Sequence, residues 1–392
     1  MLSERALQIK PSPTLAIDSK AKAMKAEGID VISFGAGEPD FDTPDNIKEA
    51  AARAIRDGQT KYTPVGGTNK LKDAVIEKFS ADNGLEYGRA EIIVSCGAKH
   101  SLYNAMQALL GPGDEVIIPA PYWVSYPEQV LLAGAKPVFV KTIEEDRFLL
   151  TTAAFERSIT EKTKALILNS PSNPTGFSYD RAALEGIAEV AVKKDIFIIS
   201  DEIYEKLLYD GARHISIASL GPEIKKRTVV VNGVSKAYAM TGWRIGYAAG
   251  PSELVKAMTS IQSQSTSNPS SISQAAAVEA LKGPQDSVPR MAAEFDKRRK
   301  RIVEALNGIK GVRCLPPTGA FYAFPNTKAL YARSPEISSS SKLALYLLEK
   351  ARVAVVPGDA FGDDDFIRLS YATGIGQIDE GVRRIRSALE TL

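Results

Sequence analysis

The sequence predicts an α/β fold in which a mostly parallel sheet is covered by helices on both faces. Three short apolar runs, ALILN, IFIIS and TVVVNGV, lack the alternation of a half-exposed strand, which is typical of strands buried on both sides. The segment DRAALEGIAEVAVKK, between the first two runs, has helical spacing. Strands and helices that alternate in this way build a parallel sheet with helices packed on it.

The chain of 392 residues suits roughly two to three domains. We expect residues 1–45 to form an N-terminal arm and part of a small domain, residues 46–290 a large sheet domain, and residues 291–392 a smaller C-terminal α/β domain. A long helical pattern near residues 290–309 is predicted to connect the last two.

That connecting segment contains a basic stretch, EFDKRRKRIVEAL. Phe295, Ile302, Val303 and Leu306 fall at helical spacing within it, so its charges are interpreted as the solvated face of the helix. The formal net charge of +2 also provides no global field for nucleic acid or an anionic membrane. We therefore expect neither as a partner.

Cysteine and histidine content excludes several site classes. The two cysteines, Cys96 and Cys314, form no CxxC pair, and the two histidines, His100 and His214, cannot supply a three-histidine metal site and support a Ser/His/Asp triad poorly. No metal is expected. The opening MLSERALQIKPSP lacks the apolar core of a signal peptide and no run reaches membrane-spanning length, so we expect a cytoplasmic protein.

Polar residues follow the three apolar runs at the points where the strands are predicted to end. Asn173 follows the first run, Asp201 ends the second, and Lys236 follows the third. Ligands of open parallel sheets bind beyond the carboxyl ends of the strands, so these side chains are predicted to share one crevice. An amide, an acid and an amine there suit a cofactor with a phenolic oxygen, a ring nitrogen and an aldehyde. Taken alone, Lys236 would more often be an ordinary surface lysine.

Ten further segments stand out along the chain: KPSPT, GAGEPDFDTP, KYTPVGG, GAKHSL, PYWVSYPE, SPSNPTG, SDEIYE, SKAYAMTGWRIGY, PGDAFG and RLSYAT. In these motifs the chain closely resembles the fold-type I pyridoxal-phosphate aminotransferases, and within them the bacterial and plastid aspartate aminotransferase subgroup, which includes aspartate/prephenate aminotransferases. The resemblance covers nearly the whole chain, with the motifs in the family's order. It implies pyridoxal 5'-phosphate as cofactor and a large domain with a mostly parallel sheet beside a smaller α/β domain.

A phosphate site is predicted where EIIVS turns into a helix at Gly97, Ala98 and Lys99, because free backbone N–H groups at a helix start favour an anion. An ordinary strand-to-helix turn would look the same in sequence. The resemblance implies that Ser235 and Arg244 bind the same phosphate, although Arg244 could instead be a plain salt-bridging residue.

The resemblance also assigns the groups around the cofactor ring. Lys236 would condense with the aldehyde and then act as general base and acid, and Asp201 would pair with the ring nitrogen. Asn173 and Tyr204 would hold the phenolic oxygen, with Tyr204 one helical turn after Asp201. Trp123 would stack on the ring, although a core role is the alternative for this tryptophan.

Substrate contacts follow from the same resemblance. Arg368 would grip the carboxylate next to the reacting carbon, although a salt bridge at a sheet edge is the alternative, and Gly35 would bring backbone close to the substrate. A distal carboxylate would meet Lys99 with Ser12 and Thr14 of KPSPT. These groups imply aspartate and 2-oxoglutarate as substrates in a ping-pong exchange, with prephenate as a second acceptor.

Tyr62 matches the family tyrosine that reaches the phosphate of a neighbouring subunit, which implies a homodimer with shared active sites. Its alternative is a turn tyrosine packed under Pro64. Other functions stay open at this point: an aromatic or broad-specificity aminotransferase, a carbon–sulfur lyase of the same fold, or a non-enzymatic regulator. A nicotinamide site is rejected because Gly35 and Gly37 are followed by Asp40 where the dinucleotide fingerprint needs a third glycine.

Overall fold

The computed structural model describes residues 2–9 and 13–391. Its strands, in chain order, are β1 (Ile32–Ser33), β2 (Ile92–Ser95), β3 (Glu115–Ala120), β4 (Lys136–Lys141), β5 (Thr163–Asn169), β6 (Phe197–Asp201), β7 (Thr228–Gly233), β8 (Gly246–Ala249), β9 (Tyr322–Ala323), β10 (Val353–Ala354), β11 (Val356–Pro357) and β12 (Ile367–Ser370).

The α-helices are α1 (Glu4–Gln8), α2 (Pro13–Ala26), α3 (Asp45–Arg56), α4 (Asn69–Asn83), α5 (Ala98–Leu109), α6 (Ser125–Leu132), α7 (Thr152–Ser158), α8 (Arg181–Lys193), α9 (Pro222–Lys225), α10 (Ser252–Ser265), α11 (Ser271–Lys282), α12 (Ser287–Asn307), α13 (Ser340–Tyr346) and α14 (Ile375–Glu390). Short 3₁₀ turns lie at Arg89–Glu91, Ile217–Leu220, Thr241–Trp243, Lys328–Leu330, Pro335–Ile337 and Gly358–Phe361, and a π-helical turn at Leu347–Ala351.

The central sheet has seven strands in the order β2-β8-β7-β6-β5-β3-β4. Strand β8 is antiparallel to both of its neighbours, and all other neighbouring strands are parallel. The predicted α/β fold with a mostly parallel sheet is confirmed.

Helices cover both faces of this sheet, as successive residues of β6 show. Ile199 packs in a cluster with Leu102 of α5, whereas Ile198 packs on the opposite face with Ile187 of α8. Because alternate side chains of a strand point to opposite faces, a strand covered on both sides must be apolar throughout. This burial explains the unbroken apolar runs.

The remaining strands form two small sheets beside the central one. Strands β11, β12 and β9 pair antiparallel in that order, and β1 pairs parallel with β10. Residues of these strands share one apolar cluster with α12 and α14, including Phe295, Leu369 and Ile378. The long helix predicted near residues 290–309 is α12. The division into residues 1–45, 46–290 and 291–392 proposed above stays a prediction.

One expectation for α12 is wrong in part. Phe295 and Ile302 are buried as predicted, but Arg298 and Arg299 of the basic stretch are buried as well. Arg298 pairs with Asp40 at 2.7 Å and Arg299 with Asp210 at 2.7 Å. Acidic partners from distant parts of the chain offset the cost of desolvating these cations.

Within the described ranges, no helix combines the length and the apolar character that crossing a membrane requires.

Candidate active site

A cavity of about 530 Å³ opens where β5 and β6 end and where the loop after β7 begins. It brings together most of the side chains that the sequence singled out, from segments more than 300 residues apart. The predicted site residues that line it are Gly35, Ala98, Lys99, Trp123, Asn173, Asp201, Tyr204, Ser235, Lys236, Arg244 and Arg368.

Asp201 is the last residue of β6, and its carboxylate is buried at the floor of the cavity. The Tyr126 hydroxyl donates to its Oδ2 at 2.8 Å, and the backbone N–H of Ile203 donates to Oδ1 at 3.3 Å. Burial raises the pKa of Asp201 to about 6, while these two hydrogen bonds act in the opposite direction. Above pH 6 the cavity therefore has an anionic floor.

Lys236 lies in the loop after β7, and its side-chain amine reaches the cavity. Nζ donates to the carbonyl oxygen of Gly37 at 2.5 Å. Burial lowers the pKa of Lys236 to about 8; Glu38 opposes this shift, and the cations Arg244 and Arg368 add to it. The amine therefore loses its proton more readily than a surface lysine and is suited to nucleophilic and base chemistry.

Arg368 is the second residue of β12 and is only 2% exposed. Its Nη1 donates to Asn173 Oδ1 at 2.9 Å and its Nη2 to the carbonyl oxygen of Gly35 at 2.8 Å, while Nε has no partner. The guanidinium lies 4.5 Å from the centre of the Tyr322 ring. No carboxylate in the described part of the chain pairs with it, which rules out the sheet-edge salt bridge there. A buried cation without a counter-ion points to an anionic ligand.

Arg244 forms a cationic corner of the cavity where α5 begins. Gly97 precedes the helix with φ at 90°, and a Cβ at this position would lie 2.3 Å from Nη2 of Arg244. Arg244 donates to the carbonyl oxygen of Cys96 at 3.3 Å, and the buried Ser235 lines the same cavity. The first N–H groups of an α-helix, here beginning with that of Ala98, lack intrahelical acceptors and favour an anion.

Lys99 and Trp123 line another part of the cavity wall. Nζ of the exposed Lys99 lies 4.8 Å from the centre of the Trp123 ring, within the range of a cation–π contact. Trp123 is half-buried and also packs edge-on against Tyr126 at 5.3 Å. Its place in the cavity wall makes it available for stacking on a planar ligand.

Tyr204 lines the cavity beside Tyr322, a residue that the sequence did not indicate. Its hydroxyl and that of Tyr322 lie 2.8 Å apart, and both tyrosines are buried. The Asp201-to-Tyr204 segment is a turn rather than the expected helical turn, yet both side chains line the cavity. Asn169 was also missed; it accepts from the backbone N–H of Asn173 at 2.8 Å and fixes that turn.

Sequence could have indicated Tyr126 but not Tyr322. Tyr126 lies three residues after Trp123 in PYWVSYPE, and that spacing places it on the first turn of α6, on the side facing the cavity. Tyr322 lies in the short strand β9 and belongs to no motif used above.

Four predicted residues do not line this cavity, and one of them, Gly97, packs against Arg244 at the start of α5. Tyr62 is 93% exposed and lies beside a different surface cavity, so it does not pack under Pro64 as a buried turn residue would. Ser12 lies outside the described residues, and so does the side chain of Thr14. Their predicted contacts with a distal carboxylate stay predictions.

One buried cluster has the composition of a metal site. Glu202, Glu205 and His214 bring potential ligand atoms within 4.8 Å of one another. Protein groups already satisfy both carboxylates: Ser216 donates to Glu202 at 2.7 Å, His214 Nε2 lies 2.8 Å from Glu202, and Lys78 forms an ion pair with Glu205. Both carboxylates thus already have protein partners, and the expectation of no metal stays a prediction.

Comparisons with known proteins agree with this arrangement. The sequence model of the family described as aminotransferase class I and II matches residues 29–385. The chain is 53% identical over 385 residues to the aspartate aminotransferase of Bacillus sp. strain YM-2, with 98% of each chain covered. It is 51% identical over 394 residues to the aspartate/prephenate aminotransferase of Nitrosomonas europaea, with 99% of each covered.

Among solved structures, the aspartate aminotransferase of Rhizobium meliloti superposes with a TM-score of 0.96 at 48% identity, covering 100% of this chain and 99% of the other.

Proposed function

The chain belongs to the class I and II aminotransferases, and from that premise we propose that it transfers amino groups between L-aspartate and 2-oxoglutarate with pyridoxal 5'-phosphate as cofactor. The oxo-acid and amino-acid products are oxaloacetate and L-glutamate. One site would serve both half-reactions, so ping-pong kinetics are expected.

The proposal rests on the buried cation of Arg368, which pairs with no carboxylate among the described residues. Its guanidinium lies in the same cavity as the Lys236 amine and the Asp201 carboxylate, and Asn173 and Gly35 fix its orientation. A guanidinium offers a planar fork that matches a carboxylate. An amino acid held by its carboxylate at Arg368 would present its amino group and Cα to the interior of the cavity.

The residues present fit the proposed cofactor. Gly97 leaves room for the Arg244 guanidinium at the start of α5, where a Cβ would collide with it, and this cationic corner suits the phosphate together with Ser235 and Lys99. Asp201 would pair with the ring nitrogen. The phenolic oxygen would lie with Asn173 and Tyr204, and Trp123 would stack on the ring.

When bound, pyridoxal phosphate supplies an aldehyde that condenses with amines and a ring that accepts the electron pair left on Cα. The protein supplies the proton transfers. Burial lowers the pKa of Lys236 to about 8, so its Nζ would take the proton from Cα of the substrate and then deliver that proton to a carbon of the cofactor. Asp201, ionised above pH 6, would hold a proton on the ring nitrogen by charge attraction.

Substrate choice would be made at the mouth of the cavity. Lys99 places a cation there, which suits a second carboxylate and disfavours an apolar side chain. Ser12 and Thr14 are proposed to add hydroxyl donors. A ring that bears a second carboxylate would meet the same cation, so prephenate is proposed as a second amino-group acceptor. An aromatic aminotransferase or a carbon–sulfur lyase would need a distal wall without this charge.

We further propose a homodimer with shared active sites, in the cytoplasm. A tyrosine as exposed as Tyr62 has little to contact within its own chain, which supports a role at the site of a second subunit.

Substrate identity can be tested by single-turnover absorbance of the bound cofactor. Aspartate and glutamate should convert the cofactor-bound enzyme rapidly, prephenate should reverse the change, and tyrosine should act slowly. In Lys99→Ala, the rate of the reaction with prephenate should fall at least as much as the rate of the reaction with aspartate. A wild type that responds best to tyrosine would refute the dicarboxylate assignment, and one that ignores prephenate would refute the second activity alone.

A further inference from the structure

Hydrogen bonds hold the loop that carries Tyr62 against the rest of the protein, although the Tyr62 side chain is exposed. Residues 57–68 connect α3 to α4 without a helix or strand, and Tyr62 lies near the middle of this loop. A turn closes within the loop, where Gly67 N–H donates to the carbonyl oxygen of Pro64 at 2.9 Å. Val94 of β2 donates its N–H to the carbonyl oxygen of Gly66 at 2.9 Å, which ties the loop to the central sheet.

Two buried glutamines complete this attachment. On α11, Gln274 donates through Nε2 to the Thr63 hydroxyl at 3.0 Å and accepts from Thr68 N–H at 2.8 Å. Gln274 thus grips the loop on both sides of its turn. Its Nε2 also donates to the carbonyl oxygen of Pro269 at 2.9 Å, which fixes the amide orientation.

Gln262 of α10 acts between the loop and the sheet. Its Nε2 donates to the carbonyl oxygens of Val65 at 2.7 Å and Val94 at 2.8 Å, while its Oε1 accepts from Asn104 of α5 at 2.9 Å. Both glutamines are fully enclosed, and every polar atom of their amide groups is hydrogen-bonded. Buried amides satisfied in this way are costly to disturb and hold one geometry.

We propose that Gln274 and Gln262 are positioning residues for the active site of a second copy of this chain: they hold the Tyr62 loop in the shape that the partner's site requires. The inference rests on the shared homodimeric site proposed above. An exposed tyrosine on a loop this firmly attached is already ordered before association, which lowers the entropy cost of contributing to another site. Removing the attachment should therefore weaken cofactor binding in the partner, not in the altered subunit.

Hybrid dimers separate these two effects, because only a site that contains Lys236 gives the absorbance of a cofactor linked to lysine. In the first hybrid, a chain with Lys236→Ala and Gln274→Leu is paired with a wild-type chain, so the reporting site receives Tyr62 from the altered loop. In the second, Lys236→Ala is paired with Gln274→Leu, so the reporting site receives a normal loop. The two hybrids carry the same substitutions in total.

We expect the cofactor dissociation constant at the reporting site to rise about tenfold in the first hybrid and to stay at the wild-type value in the second. Equal effects in both hybrids, an effect only in the second, or no effect in either would overturn the positioning role. A wild-type dimer without the lysine-dependent absorbance, or a wild-type chain that stays monomeric, would instead overturn the proposed function.

Gln285→Leu, at an exposed glutamine, is the control in the first hybrid for the loss of side-chain hydrogen bonds to backbone. This glutamine also donates to two backbone carbonyls, those of Ala280 and Gly283 at 2.9 and 2.8 Å, but it does not contact the loop, so cofactor affinity should not change. If Gln274→Leu fails to fold, Thr63→Val removes the hydroxyl that Gln274 contacts while conserving shape. Thr63→Val should give a smaller loss of cofactor affinity, again only at the site that receives the altered loop. A loss confined to the site of the altered subunit would overturn the positioning role.

Discussion

Replacing Arg368 with methionine should separate catalysis from stability. The guanidinium is expected to form two charge-assisted hydrogen bonds to the substrate carboxylate, each contributing about 1.5–3 kcal/mol, so kcat/KM for aspartate should fall about 10²- to 10⁴-fold. The folded protein loses a buried cation that has no counter-ion in the described chain, and this relief offsets the two acceptors left on Asn173 and Gly35. Unfolding free energy should stay within about 1 kcal/mol of wild type.

Steady-state kinetics and urea unfolding of the same preparation measure both quantities. Arg298→Met is the matched control, because this buried arginine is paired with Asp40 at 2.7 Å and lies outside the cavity. Because its partner Asp40 is 33% exposed, it should lose only about 1–2 kcal/mol of stability and keep kcat/KM within a few-fold of wild type. An Arg368→Met enzyme that loses less than tenfold in kcat/KM, or that unfolds as readily as the control, would refute the role of Arg368 as an unpaired substrate-binding cation.

Two other substitutions test the hydrogen bond from Tyr126 to Asp201 and the buried ion pair between Lys78 and Glu205. Tyr126→Phe removes a hydrogen bond that favours the ionised form of Asp201, so the pKa of Asp201 should rise above about 6 and the acid limb of the kcat/KM profile should move to higher pH; an unmoved limb would contradict this assignment. Burial opposes ionisation of Glu205, but Lys78 and other neighbours lower its pKa to about 2, so the stability from this pair is present above pH 4.5 and is lost as the pH falls towards 2. Lys78→Met removes the ion-pair partner of the buried Glu205 and should cost about 3–5 kcal/mol in urea unfolding at pH 7. Lys297→Met, which removes an exposed ion pair, should cost less than about 1 kcal/mol, and equal losses would refute the contribution of the buried pair.

The part of the site that sequence predicts well follows from one rule about parallel sheets. Asp201 ends a strand whose unbroken apolar run is visible in the sequence, and Lys236 follows another, so their meeting follows from strand direction alone. The strand-to-helix turn at Gly97 was also predictable from the segment EIIVSCGAK, while the binding of phosphate at this turn stays a prediction. For Arg368, only the motif resemblance indicated the site, since its partners lie near residues 35 and 173.

Sequence reasoning was weaker where a side chain depends on a distant partner. The burial of Arg298 and Arg299 depends on Asp40 and Asp210, which the helical pattern of α12 cannot reveal, so a solvated face was predicted. Tyr322 was missed for the same reason, because its hydroxyl meets Tyr204 across 118 positions of the chain. Local periodicity reports which face of a helix is apolar, but not which polar groups find a partner in the fold.

The most direct test of the proposed chemistry is the absorbance spectrum of the cofactor-bound enzyme, recorded for wild type and Lys236→Ala before and after aspartate is added. The wild type should show the absorbance of a cofactor linked to lysine and lose it within a single turnover. Lys236→Ala should lack that absorbance and form no oxaloacetate. Turnover that survives in Lys236→Ala, or a wild-type spectrum that aspartate leaves unchanged, would contradict the assignment of Lys236 as the residue that links the cofactor and moves the proton.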